Sequence, residues 1–191
     1  KAELYSETEK LLERSDLDLE ACLNSLVESD HVIQEGDRIY QSYWHRVESE
    51  VAELVMMLQS ENFKNKDWAD SIERMQENES FKFSESQIAS IKLCLENKFS
   101  VLTGGPGTGK STITRFLLKM FRGRGLRVKL CAPTGRAAQR LEECCNTEAT
   151  TIHRLLKYDP TIKSFHYGKD TPLETDVLLC DESSMIDLPL A

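Results

Sequence analysis

Residues 101 to 112 read Val-Leu-Thr-Gly-Gly-Pro-Gly-Thr-Gly-Lys-Ser-Thr, and this stretch decides the fold of the chain. A short apolar run, Phe99 to Leu102, precedes the glycines, and an amphipathic segment, Thr112 to Phe121, follows them. The spacing G-x-x-x-x-G-K-[ST] in this context is typical of a strand, a phosphate-binding loop and a helix. Glycines let backbone N–H groups converge on a phosphate, because they carry no Cβ and tolerate positive φ. The sequence therefore predicts a nucleotide site in an α/β domain.

Each part of this loop has a separate use in holding a nucleotide with its metal ion. The first turn of the following helix offers unpaired N–H groups and the positive end of the helix dipole. Lys110 supplies a point charge for the β- and γ-phosphates, and the Ser111 hydroxyl suits a Mg²⁺ coordination shell. The residues predicted to bind the nucleotide here are Gly104, Gly105, Pro106, Gly107, Thr108, Gly109, Lys110, Ser111 and Thr112.

The charge of the chain is distributed unevenly along its 191 residues. Residues 1–80 carry 8 basic and 20 acidic side chains, net −12, whereas residues 81–191 carry 16 and 12, net +4. Ten basic residues and no acidic one lie between Asn97 and Leu141. Such a basic run suits a phosphate-rich partner or a solvated helix face. No apolar run is long enough for a membrane helix, so no membrane partner and a cytoplasmic location are expected.

Residues 1–80 are predicted to form a mainly helical domain. Apolar residues recur at helical spacing over 4–13, 17–29 and 43–59, and 60–80 predicts a weakly amphipathic helix. Two short strands around Gly36 predict a hairpin near 31–42, as in a winged-helix unit. The acidic side chains around this hairpin would repel phosphates, so a scaffolding role is favoured. The domain boundary is placed at Glu77 to Ser80.

Residues 81–191 alternate strand and helix patterns, as in an α/β domain. Ser84 predicts a helix start, and Gln87 three residues later completes a capping box. Apolar runs predict strands over Val128–Cys131 and Asp176–Cys180. Short helices are predicted after Pro133-Thr134-Gly135 and near Thr150–Leu156. The six cysteines form no C-x-x-C pair and are predicted to be small buried residues.

The second of these strands ends at Asp181 and Glu182, where ligands of open α/β sheets bind. Asp181 suits Mg²⁺, and Glu182 is placed to activate an attacking water, which favours hydrolysis over transfer. Acidic residues at this position can also serve only as the cap of the next helical turn. The upstream phosphate loop makes the catalytic interpretation the stronger one, with Lys110 and Glu182 as catalytic residues.

Four ordered blocks give the chain a family resemblance: GGPGTGKST, APTGRAAQRL, ATTIHRLL and DESSMIDLPL. Together they resemble the RecD family of superfamily 1 DNA helicases, the 5′-to-3′ branch that includes the alpha subunit of exodeoxyribonuclease V. The resemblance implies a RecA-like motor that uses ATP and Mg²⁺ and translocates on single-stranded DNA in recombination and repair. It assigns Gln87 to adenine, Lys110 with Ser111 to Walker A, and Asp181 with Glu182 to Walker B. The residues that it assigns to DNA contact are Thr134, Gly135, Arg136, Thr151 and His153.

The resemblance also implies what surrounds this segment in a whole motor. It places residues 81–191 in the N-terminal part of the RecA-like domain, ahead of a second motor domain with its arginine finger. In the family, a strand that follows Walker B lies between the Walker A and Walker B strands, so the sheet is expected to be incomplete, rearranged or filled by another copy. The segment alone is expected to bind nucleotide without unwinding DNA. Nuclease or helicase subunits of a repair complex are the implied protein partners.

Two other functions fit parts of the pattern. A small P-loop phosphotransferase would use the same loop, although the Asp181-Glu182 pair favours water as the acceptor. A nucleotide-gated interaction module would use the acidic helices of residues 1–80 to bind a protein partner.

Overall fold

The computed structural model describes residues 1–60 and 68–191, which fall into two compact units, Lys1–Met56 and Met57–Ala191. The predicted helix over 60–80 lies partly outside the described residues, and its described part is a helix over Ala69–Glu77. Residues 68–80 belong to the second unit by their contacts. The domain boundary at Glu77 to Ser80 stays a prediction.

The first unit holds helices and one hairpin, which confirms the predicted character of this region. Its elements are α1 (Ala2–Leu12), α2 (Leu19–Glu28), β1 (Val32–Glu35), β2 (Arg38–Gln41) and α3 (Ser42–Ser60), the last of which crosses the division between the units. Asp18 caps α2 by accepting a hydrogen bond from the Ala21 N–H at 3.0 Å. Gly36 takes a positive φ of 60° in the tight turn between the antiparallel strands.

The second unit is an α/β assembly. Its elements are α4 (Ala69–Glu77), α5 (Glu85–Glu96), α6 (Lys110–Gly123), β3 (Val128–Ala132), α7 (Gly135–Cys145), β4 (Ala149–Thr151), α8 (Ile152–Leu155), β5 (Tyr158–Asp159), β6 (Ser164–Phe165), β7 (Val177–Cys180) and two single 3₁₀ turns, Ser183–Met185 and Leu188–Leu190.

Three parallel strands form the main sheet of this unit, in the order β4, β3, β7. Leu130 of β3 pairs with Ala149 of β4, and the β3 residue Cys131 pairs with Cys180 of β7. The sequence predicts an incomplete parallel P-loop sheet, and this part of the prediction is confirmed. Strand β4 is not predicted as a strand, because its three residues are too short to give an alternating pattern.

The predicted strand over Phe99–Leu102 is wrong. These residues form no strand, and Val101 is 66% exposed. An extended segment becomes a strand only through hydrogen bonds to a neighbour, because its backbone groups are otherwise left to water. Strand β7 pairs with β3 on one side, and no described strand pairs with its other side. Leu102 still packs against the core, so the segment reaches the loop without joining the sheet.

Helix α6 lies between two apolar clusters, and this fixes the loop that precedes it. One face packs with α4 and α5 in a cluster that includes Trp68, Ile91 and Phe116. The Phe83 and Phe116 rings meet edge to face at 4.9 Å between centroids. Leu118 packs on the other side against Leu130 and Leu141. Burying each such side chain contributes about 1.5–3 kcal/mol to the free energy of folding. These contacts on two sides hold α6 in place, and with it the first turn of the helix.

The cysteines differ from the sequence prediction. Cys131 and Cys145 are buried, whereas Cys22 and Cys180 are exposed and Cys94 and Cys144 are intermediate. The prediction of small buried residues is therefore correct for two of the six. Cys180 is exposed because it lies on the outermost strand of the sheet. In the described ranges, no helix has the length and apolar character needed to cross a membrane.

Candidate functional site: a phosphate-binding loop and one sheet edge

The site begins at the N-terminus of α5, where Ser84 and Gln87 form the predicted capping box. The Ser84 hydroxyl accepts from the Gln87 N–H at 3.3 Å, and the Gln87 side-chain oxygen accepts from the Ser84 N–H at 2.9 Å. The side-chain nitrogen of Gln87 then donates to the carbonyl of Thr108 at 3.0 Å. The Gln87 side chain therefore caps α5 and also bonds to the phosphate-binding loop.

Two glycines give the loop its shape. Gly107 and Gly109 take positive φ values of 73° and 89°, a region that costs other residues about 1–2 kcal/mol. A Cβ on Gly109 would stand 2.7 Å from the side-chain nitrogen of Gln87, so only glycine leaves room for that contact. A Cβ on Gly104 would stand 2.8 Å from the Thr108 hydroxyl oxygen. A side chain at Gly104 or Gly109 would therefore collide with a neighbouring side chain of the same site.

The loop presents a row of unused donors. Within residues 1–60 and 68–191, no hydrogen-bond partner is found for the backbone N–H groups from Gly107 to Thr112. These groups include the first turn of α6, whose first backbone bond of this kind runs from the Ile113 N–H to the Gly109 carbonyl at 2.9 Å. Converging N–H groups at a helix start bind phosphate oxygens well. The loop thus fits a phosphate chain.

The Lys110 side chain folds back onto the start of the phosphate-binding loop. Its ammonium donates to the carbonyls of Gly104 at 2.6 Å and Gly105 at 2.9 Å. The Ser111 carbonyl accepts a weak bond from the Cys144 thiol at 3.6 Å, which ties α7 to the start of α6. The Ser111 side chain is exposed, so its hydroxyl is accessible to a metal ion bound with the phosphates.

The predicted acidic pair lies at the end of β7. The Asp181 N–H donates to the Cys131 carbonyl at 3.0 Å, so the backbone of Asp181 continues the pairing of β7 with β3. Glu182 has a φ of 53° and begins the 3₁₀ turn Ser183–Met185 with its side chain exposed. In the part of the chain that the structure describes, no hydrogen bond joins either carboxylate to Lys110 or Ser111. Among the described residues, the loop residues Lys110 and Ser111 are therefore not hydrogen-bonded to the side chains of the predicted acidic pair.

No cluster of three or more His, Cys, Asp and Glu side chains occurs among the described residues. A purely protein-held metal site is therefore not found there. The Ser111 hydroxyl and the Asp181 carboxylate are hard oxygen donors, which suit a Mg²⁺ ion that takes its remaining ligands from phosphates and water.

The two blocks predicted to contact DNA lie at one edge of the sheet. Thr134 follows β3 and caps α7 by accepting from the Ala137 N–H at 3.3 Å. Thr151 ends β4 and caps α8 by accepting from the Arg154 N–H at 3.2 Å. Because β3 and β4 are parallel neighbours, both caps lie at the carboxyl edge that also holds Asp181. Gly135 and Arg136 form the exposed start of α7.

His153 belongs to an aromatic cluster that the sequence motifs do not indicate. Its ring lies 5.4 Å from the Tyr158 ring and 5.6 Å from the Phe165 ring. Tyr158 and Phe165 face each other across the two-residue strands β5 and β6. The signal that could have found the cluster is the pair of aromatic residues on either side of the Asp159-Pro160 turn. His153 is thus held by ring contacts while it stays exposed.

Comparison with known proteins extends this description. A family described as the AAA domain matches residues 87–191. The ATP-dependent RecD2 DNA helicase of Deinococcus radiodurans is 38% identical over 153 residues, covering 78% of this chain and 20% of that protein. The RecBCD enzyme subunit RecD of Haemophilus influenzae is 38% identical over 129 residues, covering 54% of this chain and 20% of that protein. The predicted resemblance to RecD helicases is confirmed.

A phage relative shares a shorter stretch. The ATP-dependent DNA helicase dda of Enterobacteria phage T4 is 36% identical over 107 residues, covering 52% of this chain and 24% of that protein. The chain therefore spans about a fifth of the length of the curated relatives that it matches.

Proposed function

We propose, since this chain belongs to the AAA domain family, that it binds ATP at residues 104–112 as part of a DNA helicase motor. The observation that carries the proposal is the loop itself. The backbone N–H groups from Gly107 to Thr112 have no partner among the described residues, the Lys110 ammonium bonds to carbonyls of the same loop, and Gln87 ties that loop to a capped helix. The names of the relatives support a helicase rather than another P-loop enzyme.

The residues of the loop divide the work of binding. The N–H groups of the loop and of the first turn of α6 hold the phosphate oxygens. Lys110 exchanges its bonds to the Gly104 and Gly105 carbonyls for the β- and γ-phosphates, so its charge is already positioned before the nucleotide arrives. Gln87 lies against the loop at Thr108 and is placed to contact the adenine base.

Hydrolysis is assigned to the carboxylates at the end of β7. Ser111 and Asp181 would hold Mg²⁺, which would supply positive charge beside the phosphates. Glu182 accepts a proton from the attacking water as a general base. Asp181 and Glu182 would act on a nucleotide held at the loop, although among the described residues no hydrogen bond joins either carboxylate to Lys110 or Ser111. Lys110 and Glu182 are the proposed catalytic residues.

The carboxyl edge of the sheet is the proposed path for single-stranded DNA. Thr134, Gly135 and Arg136 approach it from β3, and Thr151 and His153 approach it from β4. Exposed N–H groups at a helix start and the Arg136 guanidinium suit the phosphates, and the His153 ring suits a base. Movement in the 5′-to-3′ direction and assembly with other subunits of a repair complex are proposed from the RecD relatives.

Binding of a slowly hydrolysed ATP analogue to wild type and to Lys110→Ala tests the nucleotide site. The wild type should bind with Mg²⁺, and Lys110→Ala should bind at least tenfold more weakly, because the charge facing the phosphates is lost. Lys92→Ala is the matched control, since Lys92 is an exposed lysine on α5 outside the loop. Equal binding by Lys110→Ala and Lys92→Ala, with unfolding midpoints unchanged, would contradict the proposal.

A further inference from the structure

A groove on the second unit runs along α6 away from the phosphate loop. It consists of two adjoining cavities of about 540 Å³ and 430 Å³, which share Arg122, Asn146 and Thr147. Arg115 and Lys119 line the first cavity, and Lys129 lines the second. We call this surface the basic groove. None of the residues proposed above to bind nucleotide or DNA lines it.

The basic side chains of the groove come from one helix face and the neighbouring strand. Arg115, Lys119 and Arg122 have the spacing i, i+4 and i+7, which places them in one row on α6. The row extends about 10 Å along the helix axis at 1.5 Å per residue. Lys129 of β3 lines the same cavity as Arg122.

Most of this charge has no acidic partner. Lys119 pairs with Glu79, and Arg122 donates to the Thr147 hydroxyl at 2.9 Å. Over the described ranges, no ion pair is formed by Arg115, Arg122 or Lys129. Glu148 is the other carboxylate of the lining. The lining thus carries four basic side chains and two carboxylates, whereas the chain as a whole has a net charge of −8.

We propose that the basic groove binds the phosphate backbone of a nucleic acid, as a second contact separate from the carboxyl edge of the sheet. A row of three cations over about 10 Å, of which Lys119 alone forms an ion pair among the described residues, matches a polymer that carries charge at regular intervals better than it matches a single small anion. Guanidinium groups favour phosphate oxygens because they offer paired N–H donors. The groove carries no aromatic side chain among its lining residues, so it contacts backbone and not bases.

Binding of a fluorescent single strand of about twenty thymidines, without nucleotide and over a range of NaCl concentrations, tests this site. The variant Arg115→Ala/Arg122→Ala/Lys129→Ala should lose at least tenfold in affinity at low salt. The slope of log affinity against log salt should fall by about 2, since each lost phosphate contact on a single strand removes about 0.7. Lys82→Ala/Lys92→Ala/Lys169→Ala removes the same charge from exposed positions outside the groove and should change neither value beyond a small uniform effect.

Two further experiments distinguish the basic groove from the DNA path proposed at the carboxyl edge of the sheet and from a structural role of Arg122. The same loss should appear in an Arg136→Ala/His153→Ala background; its disappearance there would show that the groove is not a separate contact. Arg122→Lys should keep most of the affinity of wild type, and a loss as large as that of Arg122→Ala would assign Arg122 a structural role through Thr147. The proposal is overturned by equal affinities of the groove variant and its control, or by polyglutamate binding as tight as that of the single strand.

Discussion

The side-chain amide of Gln87 donates to the carbonyl of Thr108 at 3.0 Å, so a helix cap and a phosphate loop share one residue. Gln87 meets the cap with its oxygen and the loop with its nitrogen. A substitution that keeps the oxygen and removes the nitrogen can therefore separate the helix cap from the contact with the loop.

Gln87→Glu should preserve stability and weaken nucleotide binding. The new carboxylate still accepts from the Ser84 N–H, and a negative charge suits a helix start. It cannot donate to Thr108, and it adds negative charge near the phosphates. We expect a free energy of unfolding within about 0.5 kcal/mol of wild type for Gln87→Glu and a loss of about 1 kcal/mol for Gln87→Ala. Chemical denaturation measures the stability of each variant, and binding of the ATP analogue measures its affinity. Unchanged binding by Gln87→Glu would exclude a role in nucleotide binding for the bond from Gln87 to Thr108.

Gly109→Ala should be more harmful than Gly107→Ala. Both positions have positive φ, so each substitution costs about 1–2 kcal/mol in backbone strain. Only the Cβ at 109 meets another atom, the side-chain nitrogen of Gln87 at 2.7 Å, whereas nothing lies within 4 Å of a Cβ at 107. The extra loss in Gly109→Ala should disappear in a Gln87→Ala background. If the two alanine variants unfold at the same denaturant concentration, the close contact has no energetic weight.

Asp176 should make stability depend on pH through Arg127. Its carboxylate accepts from the Arg127 N–H at 2.7 Å and from the guanidinium at 3.1 Å and 3.2 Å, which joins the starts of β3 and β7. Those bonds hold the pKa of Asp176 below its ordinary value of 3.8. A lowered pKa gives stability that is complete above 3.8 and is lost as pH falls through the folded-state value.

The variant Asp176→Asn should therefore be less stable than wild type at pH 7, and the difference should shrink below about pH 4. Urea denaturation between pH 3 and pH 7 measures it. Asp170→Asn is the control, because Asp170 is exposed and lies outside the sheet. A difference between wild type and Asp176→Asn that is constant over this range would show that the carboxylate is not ionically coupled to Arg127.

Cys180 should be the thiol of the second unit that reacts first with iodoacetamide. It is exposed, and a hydrogen bond from the Cys131 thiol holds its pKa below the ordinary value of 9.0. Burial raises the pKa of Cys145 to about 11, so that thiol should react slowly. Cys131→Ala removes the hydrogen bond and should slow alkylation of Cys180 at pH 7.5.

Mass spectrometry of the digested protein measures each site separately. Cys22 is the internal control, since it is exposed and belongs to the first unit. Its alkylation rate should be the same in wild type and Cys131→Ala. A Cys180 rate that is also unchanged would remove Cys131 as the cause of the lowered pKa.

Short sequence patterns predicted those features of the candidate site that depend on residues close together in the chain. The Ser84 and Gln87 capping box is found as predicted, because it is fixed within three residues of sequence. The strand over Phe99–Leu102 is wrong because its formation depends on a neighbour elsewhere in the chain. Asp18 caps α2, although Ser15 and Asp16 just before it are also residue types that cap helices.

Some relationships gave little or no signal in the sequence. The bond from Gln87 to Thr108 spans 21 positions, and Cys131 meets Cys180 only through the register of β3 and β7. The aromatic cluster around His153 depends on a hairpin of two-residue strands, which is too short for a periodic pattern. The motifs thus named candidate site residues, which stay a prediction, and packing decided what each of these residues contacts.

Because β3 has a strand on each side and β7 has one, the two strands should exchange their amide protons on different timescales. Opening β7 breaks one set of pairs, whereas opening β3 breaks two. The strand that leads to Thr134 is therefore the slow part of this sheet, and the strand that leads to Asp181 and Glu182 is the fast part. The carboxylates, like the residues that follow β4, thus lie at the end of a strand with one neighbour, while the residues that follow β3 lie at the end of the strand that opens last.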